Sequence, residues 1–267
     1  MRDFELSIGS AQKMKSEIKG YIFDMDGVIW DGDKAIPHAA EKINELMTGG
    51  KKVIFLTNNS LRSRDSYVKR LKEFGISTTK ESVLVSSYAA GLYMMKKKGP
   101  SKVYALGTED MKAELREAGH TIVESGADFV VSGLDKTINY EKMTNALQEI
   151  TAGAEFIACA PDVTYLDNGQ IKLGSGAIMK ALEAASGRKV TLIGKPSELI
   201  MEVAKGMMGL KPEECMVIGD KIETEIVAGK REGMKTALVL TGENKLKDVE
   251  RSDIKPDYVI KDLRELA

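Results

Sequence analysis

The stretch Tyr21-Ile22-Phe23-Asp24-Met25-Asp26-Gly27 is a three-residue apolar run that breaks into two acids and a glycine. Apolar residues without polar alternation read as a strand covered on both faces, the habit of a parallel sheet. The same pattern recurs three times. Residues 53–56 run into Thr57-Asn58-Asn59-Ser60, residues 190–193 into Gly194-Lys195-Pro196-Ser197, and residues 216–218 into Gly219-Asp220. Further strands are expected at 103–106, 129–131, 156–159, 237–240 and 258–260. Between them, residues 38–48, 62–74, 82–98, 109–118, 140–151, 176–186, 197–208 and 222–232 show helical spacing. Several of these stop at a glycine suited to the left-handed turn after a helix: Gly49, Gly75, Gly99, Gly119, Gly187, Gly209 and Gly233. Strand and helix alternating along the whole chain predict an α/β fold built on a mainly parallel sheet.

The chain has 267 residues, so at about 150 residues per domain it is one large domain or a core with a second lobe. With 43% hydrophobic and 30% charged residues it can bury a core. Lys+Arg 39 against Asp+Glu 40 leaves a net charge of −1 with no block of one sign, which argues against nucleic acid and anionic membrane as partners. Cys159 and Cys215 lie far apart in strand-like runs, so no disulfide framework and no CxxC knuckle is available and buried free thiols are expected. Residues 1–10 carry acids ahead of any apolar stretch and no run of about 18 apolar residues occurs, so neither a signal peptide nor a spanning helix is expected and the expected location is cytoplasmic.

Ligands of open parallel sheets gather at the carboxyl ends of the strands, and the residues there carry chemistry. Asp24 and Asp26 stand at i and i+2; a divalent metal or a shared proton would relieve their repulsion, while Asp and Gly also simply make turns. An EF-hand is excluded because Val28 and Ile29 occupy positions that need oxygen ligands or a glycine. Gly194-Lys195-Pro196-Ser197 is not a P-loop, since the first glycine of that motif would fall on Lys189 and a proline follows Lys195. Singly, Lys195 reads as a loop lysine, Thr57 and Asn58 as helix caps, and Asp220 as a lone acid. From four strand ends of one sheet they meet the needs of phosphoryl transfer, which are a nucleophile, a metal site and groups around the equatorial oxygens.

Together and in this order, FDMDGVIWDG (23–32), FLTNNS (55–60), PDVTYLDNGQIKLGSG (161–176), IGKPS (193–197) and IGDKIETEI (218–226) resemble the haloacid dehalogenase (HAD) superfamily, and within it phosphatases similar to the NagD and 4-nitrophenylphosphatase group. The resemblance implies a Rossmann-like core, residues 1–98 and 189–267, with helices on both faces of its sheet and an inserted α/β cap of type C2 at 99–188. It implies a Mg²⁺-dependent phosphatase acting on monoesters of small metabolites. Asp24 would be the nucleophile that becomes an aspartyl-phosphate, and Asp26 the acid and base. Asp24, the Asp26 carbonyl and Asp220 would hold Mg²⁺, and Thr57, the Asn58 amide and Lys195 the phosphoryl oxygens. Residues 26–37 would form a turn and hairpin flap in which Trp30 acts as a packing anchor. Members of the group often form homodimers, though no stripe of this sequence marks such an interface.

Three positions depart from the family. Glu225 stands where Asp is usual and Glu223 where it is frequent, so Glu225 is expected to act through a metal-bound water or through Lys195 rather than as a direct ligand. Leu173 precedes Gly174-Ser175-Gly176 where relatives often have proline. A phospho-receiver domain is disfavoured because an acid, Asp220, follows the lysine and because the insertion exceeds a whole receiver. A dinucleotide site is disfavoured because the third glycine of GxGxxG would be Met179. Within the favoured class, a phosphotransferase or a phospho-ligand-binding homologue with little hydrolytic activity is the alternative that kinetics distinguishes.

Overall fold

The computed structural model describes residues 18–167 and 170–266. The reading of residues 1–10, and positions 168 and 169 of the 161–176 loop, lie outside the described residues. In chain order the strands are β1 (Gly20–Phe23), β2 (Trp30–Asp31), β3 (Lys34–Ala35), β4 (Lys52–Thr57), β5 (Val83–Val85), β6 (Lys102–Leu106), β7 (Thr121–Ile122) and β8 (Phe129–Ser132). They continue with β9 (Glu155–Ala158), β10 (Thr164–Asp167), β11 (Gln170–Leu173), β12 (Thr191–Leu192), β13 (Cys215–Gly219), β14 (Lys235–Val239) and β15 (Tyr258–Ile260). Helices Ala39–Thr48, Arg64–Glu73, Ser86–Lys98, Glu109–Glu117, Tyr140–Ala152, Ser175–Ser186 and Glu198–Met208 alternate with them much as the spacing predicts.

One sheet has the order β15-β14-β13-β1-β4-β5, and a second has β12-β9-β8-β6-β7. The pairings from β15 to β4 in the first, and every pairing in the second, are parallel. The chain forms an α/β fold, as the alternation predicts. The described residues divide into two compact units. One runs through Leu56 and adds Val68–Val83 and the chain from Ala204; the other is Thr57–Tyr67 with Leu84–Val203.

In the first unit, β1 is buried along its length between β13 and β4, which explains why its apolar run lacks alternation. Its Tyr21 and Phe23 rings stack with centroids 6.0 Å apart, and Phe23 lies 6.4 Å from Phe55 of β4. Each such ring contributes about 1.5–3 kcal/mol on burial. In the second unit, Leu106, Val130 and Phe156 of the sheet pack with Ile150, Ile178 and Leu182 of helices Tyr140–Ala152 and Ser175–Ser186. Asn139 caps the first of these helices by accepting from the Lys142 N–H, 2.9 Å away. Among the described residues no helix is long and apolar enough to cross a membrane.

Some boundaries differ from the expectation. Residues 83–85 fold as β5 rather than as the start of a helix, because the run Val-Leu-Val is fully buried and branched side chains favour the sheet. Residues 222–226 form a single π turn before the short helix Val227–Arg231. The left-handed residue after helix Ala39–Thr48 is Gly50 (φ 78°), not Gly49 (φ −72°). The hairpin of β10 and β11 is an addition within the stretch read as a loop, and β11 is exposed along its length.

Candidate active site

Asp24 follows directly on β1, and its N–H donates to the Ile218 carbonyl of β13 at 2.9 Å, continuing the register that pairs Phe23 with Ile218. Asp220 is the first residue after β13. Parallel pairing therefore brings these two carboxylates to the same end of neighbouring strands, where both are buried, at 8% and 5% exposure. A clasp that the motifs did not reveal holds Asp220. The Glu243 N–H donates to Asp220 Oδ2 at 2.7 Å, the Asn244 N–H to the Asp220 carbonyl at 3.0 Å, and the Ile222 N–H to Asn244 Oδ1 at 2.7 Å. The Thr241 hydroxyl donates to the Gly27 carbonyl at 2.6 Å. Glycine is required at two places in this clasp. A Cβ at Gly27 would lie 2.3 Å, and one at Gly242 2.0 Å, from Asp220 Oδ2.

Asp26 is exposed, and its Oδ1 accepts from the Trp30 indole N–H at 2.8 Å, so the tight turn after β1 fixes the carboxylate's orientation. Trp30 itself is fully buried on the β2–β3 hairpin, with its ring 5.6 Å from Phe74 and the Arg70 guanidinium 4.4 Å away. It is the packing anchor expected of it. Glu225 is buried at 3% exposure on the π turn, where its Oε2 accepts from the Lys221 N–H at 3.1 Å and the Thr224 hydroxyl at 2.8 Å. Gly219 leaves room for it, since a Cβ there would lie 2.1 Å from Glu225 Cγ.

The second unit carries the other predicted residues, and the expectation of four strand ends in one sheet fails for Lys195, which follows β12 at the edge of the second sheet because β12 pairs with β9. Thr57 ends β4 and is buried; its Oγ1 accepts from the Asn59 N–H at 3.0 Å, which leaves the hydroxyl proton to donate. Asn58 and Lys195, 137 residues apart, are brought together. Asn58 Nδ2 donates to the Lys195 carbonyl at 2.8 Å and Oδ1 accepts from the Lys195 N–H at 2.7 Å. Lys195 is buried, at 2% exposure, not the solvated loop residue its type alone suggests. The loop after Asn58 is tied down by acids the sequence reading passed over. Asp110 accepts from the Ser63 N–H at 2.8 Å, and Glu114 accepts from the Arg64 N–H at 2.7 Å and from Arg64 Nε at 2.6 Å. Cys159 and Cys215 are free and buried, and burial pushes their thiols up to about 12 and about 11, which removes them as nucleophiles at neutral pH. Gly174 and Gly176 serve helix entry, as a Cβ on either would lie within 2.1 Å of a carbonyl oxygen of Asp162 or Pro161.

The acidic set suits a hard divalent cation. Two carboxylates at the ends of adjacent strands offer oxygen donors only, the kind such an ion takes. Among the described residues no three Asp, Glu, His or Cys side chains converge as cation ligands, so a main-chain carbonyl such as that of Asp26 would have to join the pair.

Comparison with known proteins agrees with this chemistry. The family model of haloacid dehalogenase-like hydrolases matches residues 21–121, and a HAD-hydrolase-like model matches 192–266. The chain is 34% identical over 247 residues to the 5'-nucleotidase YutF of Bacillus subtilis, covering 92% of this chain and 96% of that one. It is 34% identical over 250 residues to the acid sugar phosphatase of Staphylococcus aureus, covering 93% and 96%. Among solved structures, the p-nitrophenyl phosphatase of Archaeoglobus fulgidus superposes with a TM-score of 0.89 at 38% identity, covering 94% of this chain and 98% of that one. NagD of E. coli K-12 gives 0.87 at 31%, covering 94% and 98%. A glycerol phosphate phosphatase of Mycobacterium tuberculosis in complex with magnesium gives 0.88 at 28%, covering 95% and 77%. The chain belongs to the haloacid dehalogenase-like hydrolases, in their NagD-like phosphatase group.

Proposed function

We propose that this chain hydrolyses phosphate monoesters of small metabolites with Mg²⁺, through an aspartyl-phosphate on Asp24. An Asp24 carboxylate oxygen attacks phosphorus while the bond to the ester oxygen breaks, and Asp26 gives that oxygen its proton. Water then attacks the phosphorus of the acyl phosphate, Asp26 takes the proton, and Asp24 leaves as a carboxylate. The Trp30 indole holds one oxygen of Asp26, which leaves the other for this proton traffic. The Thr57 hydroxyl, the Asn58 main-chain N–H and the Lys195 ammonium would hold the phosphoryl oxygens. Asp24, the Asp26 carbonyl and Asp220 would hold Mg²⁺, which neutralises charge on the transferring group. Glu225, whose Oε2 accepts from the Lys221 N–H and the Thr224 hydroxyl, would stand beside that set and act through a metal-bound water or Lys195. The stretch 99–188 would act as the cap domain.

The observation that carries this reading is the pair of buried carboxylates, Asp24 and Asp220, at the ends of neighbouring parallel strands. The relatives' names, a 5'-nucleotidase, an acid sugar phosphatase and a glycerol phosphate phosphatase, support small phosphate monoesters as the class, and the magnesium complex of the last supports the cation. The test is release of inorganic phosphate from 4-nitrophenyl phosphate and from a panel of nucleotides, sugar phosphates and glycerol phosphate, with Mg²⁺ and then with EDTA. Asp24→Asn should lower turnover by at least about 10³-fold with an unchanged circular dichroism spectrum. Wild-type turnover in that variant would remove Asp24 as the nucleophile.

A further inference from the structure

Asn58 makes two hydrogen bonds to the main chain of one residue, donating to the Lys195 carbonyl at 2.8 Å and accepting from the Lys195 N–H at 2.7 Å. Its amide thus pairs with Lys195 as a strand neighbour would, and it is held on both sides. The Ser86 hydroxyl donates to the Asn58 carbonyl at 2.8 Å, fixing the Asn58 backbone. On the other side Gly194 lets the amide in, since a Cβ there would lie 2.6 Å from Asn58 Oδ1 and 2.1 Å from the Cys159 carbonyl oxygen. The Ser197 N–H closes the turn onto the Gly194 carbonyl at 3.0 Å. An amide whose oxygen and nitrogen both face main-chain partners has its geometry spent on Lys195.

We propose that the Asn58 side chain is the positioning residue for Lys195. It sets where the Lys195 backbone sits, and through it where the buried ammonium is presented. The catalytic side of this inference rests on the reading of Lys195 as a holder of the phosphoryl group. Fixing its Cα is one condition for a long flexible lysine to deliver its charge reproducibly, and a displacement of 1 Å at a reacting centre costs about 10²-fold in rate.

Two variants test it. Asn58→Ala removes both bonds. Asn58→Asp keeps the shape and the acceptor facing the Lys195 N–H but turns an oxygen toward the Lys195 carbonyl. The first readout is the rate of Lys195 acetylation by acetic anhydride, followed by mass spectrometry with the other lysines as internal reference. The second is kcat/KM in a cycle with Lys195→Ala. The expected result is a rise of at least tenfold in Lys195 labelling in Asn58→Ala, with a smaller rise in Asn58→Asp. With it should come a drop of about 10²-fold in kcat/KM that shrinks to less than about threefold when Lys195 is already alanine. Unchanged Lys195 labelling in both variants would overturn the inference whatever the activity does. An equal kcat/KM loss in the Lys195→Ala background would overturn it too, since Asn58 would then act independently. Raised labelling with undiminished kcat/KM would leave the tie between the residues standing and refute instead the role of Lys195 in the reaction.

Discussion

Gly242→Ala probes the claim that the loop after β14 shapes the Asp220 site. The added Cβ would lie 2.0 Å from Asp220 Oδ2, 2.4 Å from its Cβ and 2.5 Å from its Cγ. Because the clash includes Asp220 Cβ, a new rotamer cannot relieve it, and the backbone of one strand end must move by about 1 Å or more to reach ordinary contact. Overpacking of this kind costs about 1–3 kcal/mol of stability, so the variant should still fold. A shift of about 1 Å in a carboxylate at the reacting centre should cost about 10²-fold in kcat/KM, or about 2.7 kcal/mol of transition-state stabilisation. The assays are hydrolysis of 4-nitrophenyl phosphate across a Mg²⁺ titration, and Mg²⁺ binding by calorimetry, which needs no turnover. Half-saturating Mg²⁺ should rise at least tenfold in both, and Asp220→Asn should show the same sign. Gly206→Ala is the control, because apart from its chain neighbours and its own helix backbone nothing lies within 4 Å of the Cβ it would add, and the position is inside helix Glu198–Met208. It should leave both titrations unchanged and stabilise by about 0.5–1 kcal/mol. A folded Gly242→Ala protein with wild-type Mg²⁺ dependence would refute the assignment of Asp220 to the cation.

Two stability predictions rest on charges away from the strand ends. Arg64 and Glu114 are both buried, with 6% and 2% side-chain exposure, and the Arg64 guanidinium also lies 3.3 Å from the Tyr88 ring centroid. Arg64→Ala strands a buried carboxylate and should lower the free energy of unfolding in urea by about 3–5 kcal/mol, whereas Arg64→Met with Glu114→Met should recover most of the loss; a cost under about 1 kcal/mol would show the pair to be solvated. Asp257 accepts from the Thr236 N–H at 2.8 Å, the Thr236 hydroxyl at 2.9 Å and Lys230 Nζ at 2.8 Å. Burial works to raise its pKa, but the bonds to Lys230 and Thr236 outweigh it and hold the carboxyl below the usual range. A depressed folded value means the stabilisation is complete above about pH 4 and lost as pH falls through that value. Asp257→Asn should therefore lose about 1–3 kcal/mol at pH 7, with the gap to wild type closing in acid; a gap independent of pH would exclude the ionised carboxylate as its source.

Much of the core was legible because it is written in local terms. Covered parallel strands read as unbroken apolar runs, and the residues just past β1, β4 and β13 announce the strand ends where ligands gather. The β5 strand was hidden because three apolar residues directly before a helix continue the helix's own periodicity. The β10–β11 hairpin was hidden because β11, exposed along its length, carries no burial pattern. Neither the clasp on Asp220 nor the Arg64–Glu114 pair has a motif, since each joins residues more than twenty positions apart whose types are ordinary for loops and helix surfaces.

By itself, then, the amino-acid sequence determined the α/β alternation, the order of the strand-end residues and the phosphoryl chemistry their types allow, because hydrophobic period and side-chain functional groups are properties of short segments. Only the tertiary structure decided which groups are buried, which share a strand end and which spend their polar atoms on one another. Asp24 and Asp220 meet through the register of β1 and β13, and Asn58 turns to Lys195 through a loop closure spanning 137 residues. Burial and pairing of that kind depend on packing between segments distant in the chain, where each hydrogen bond gains its value from the water the fold excludes.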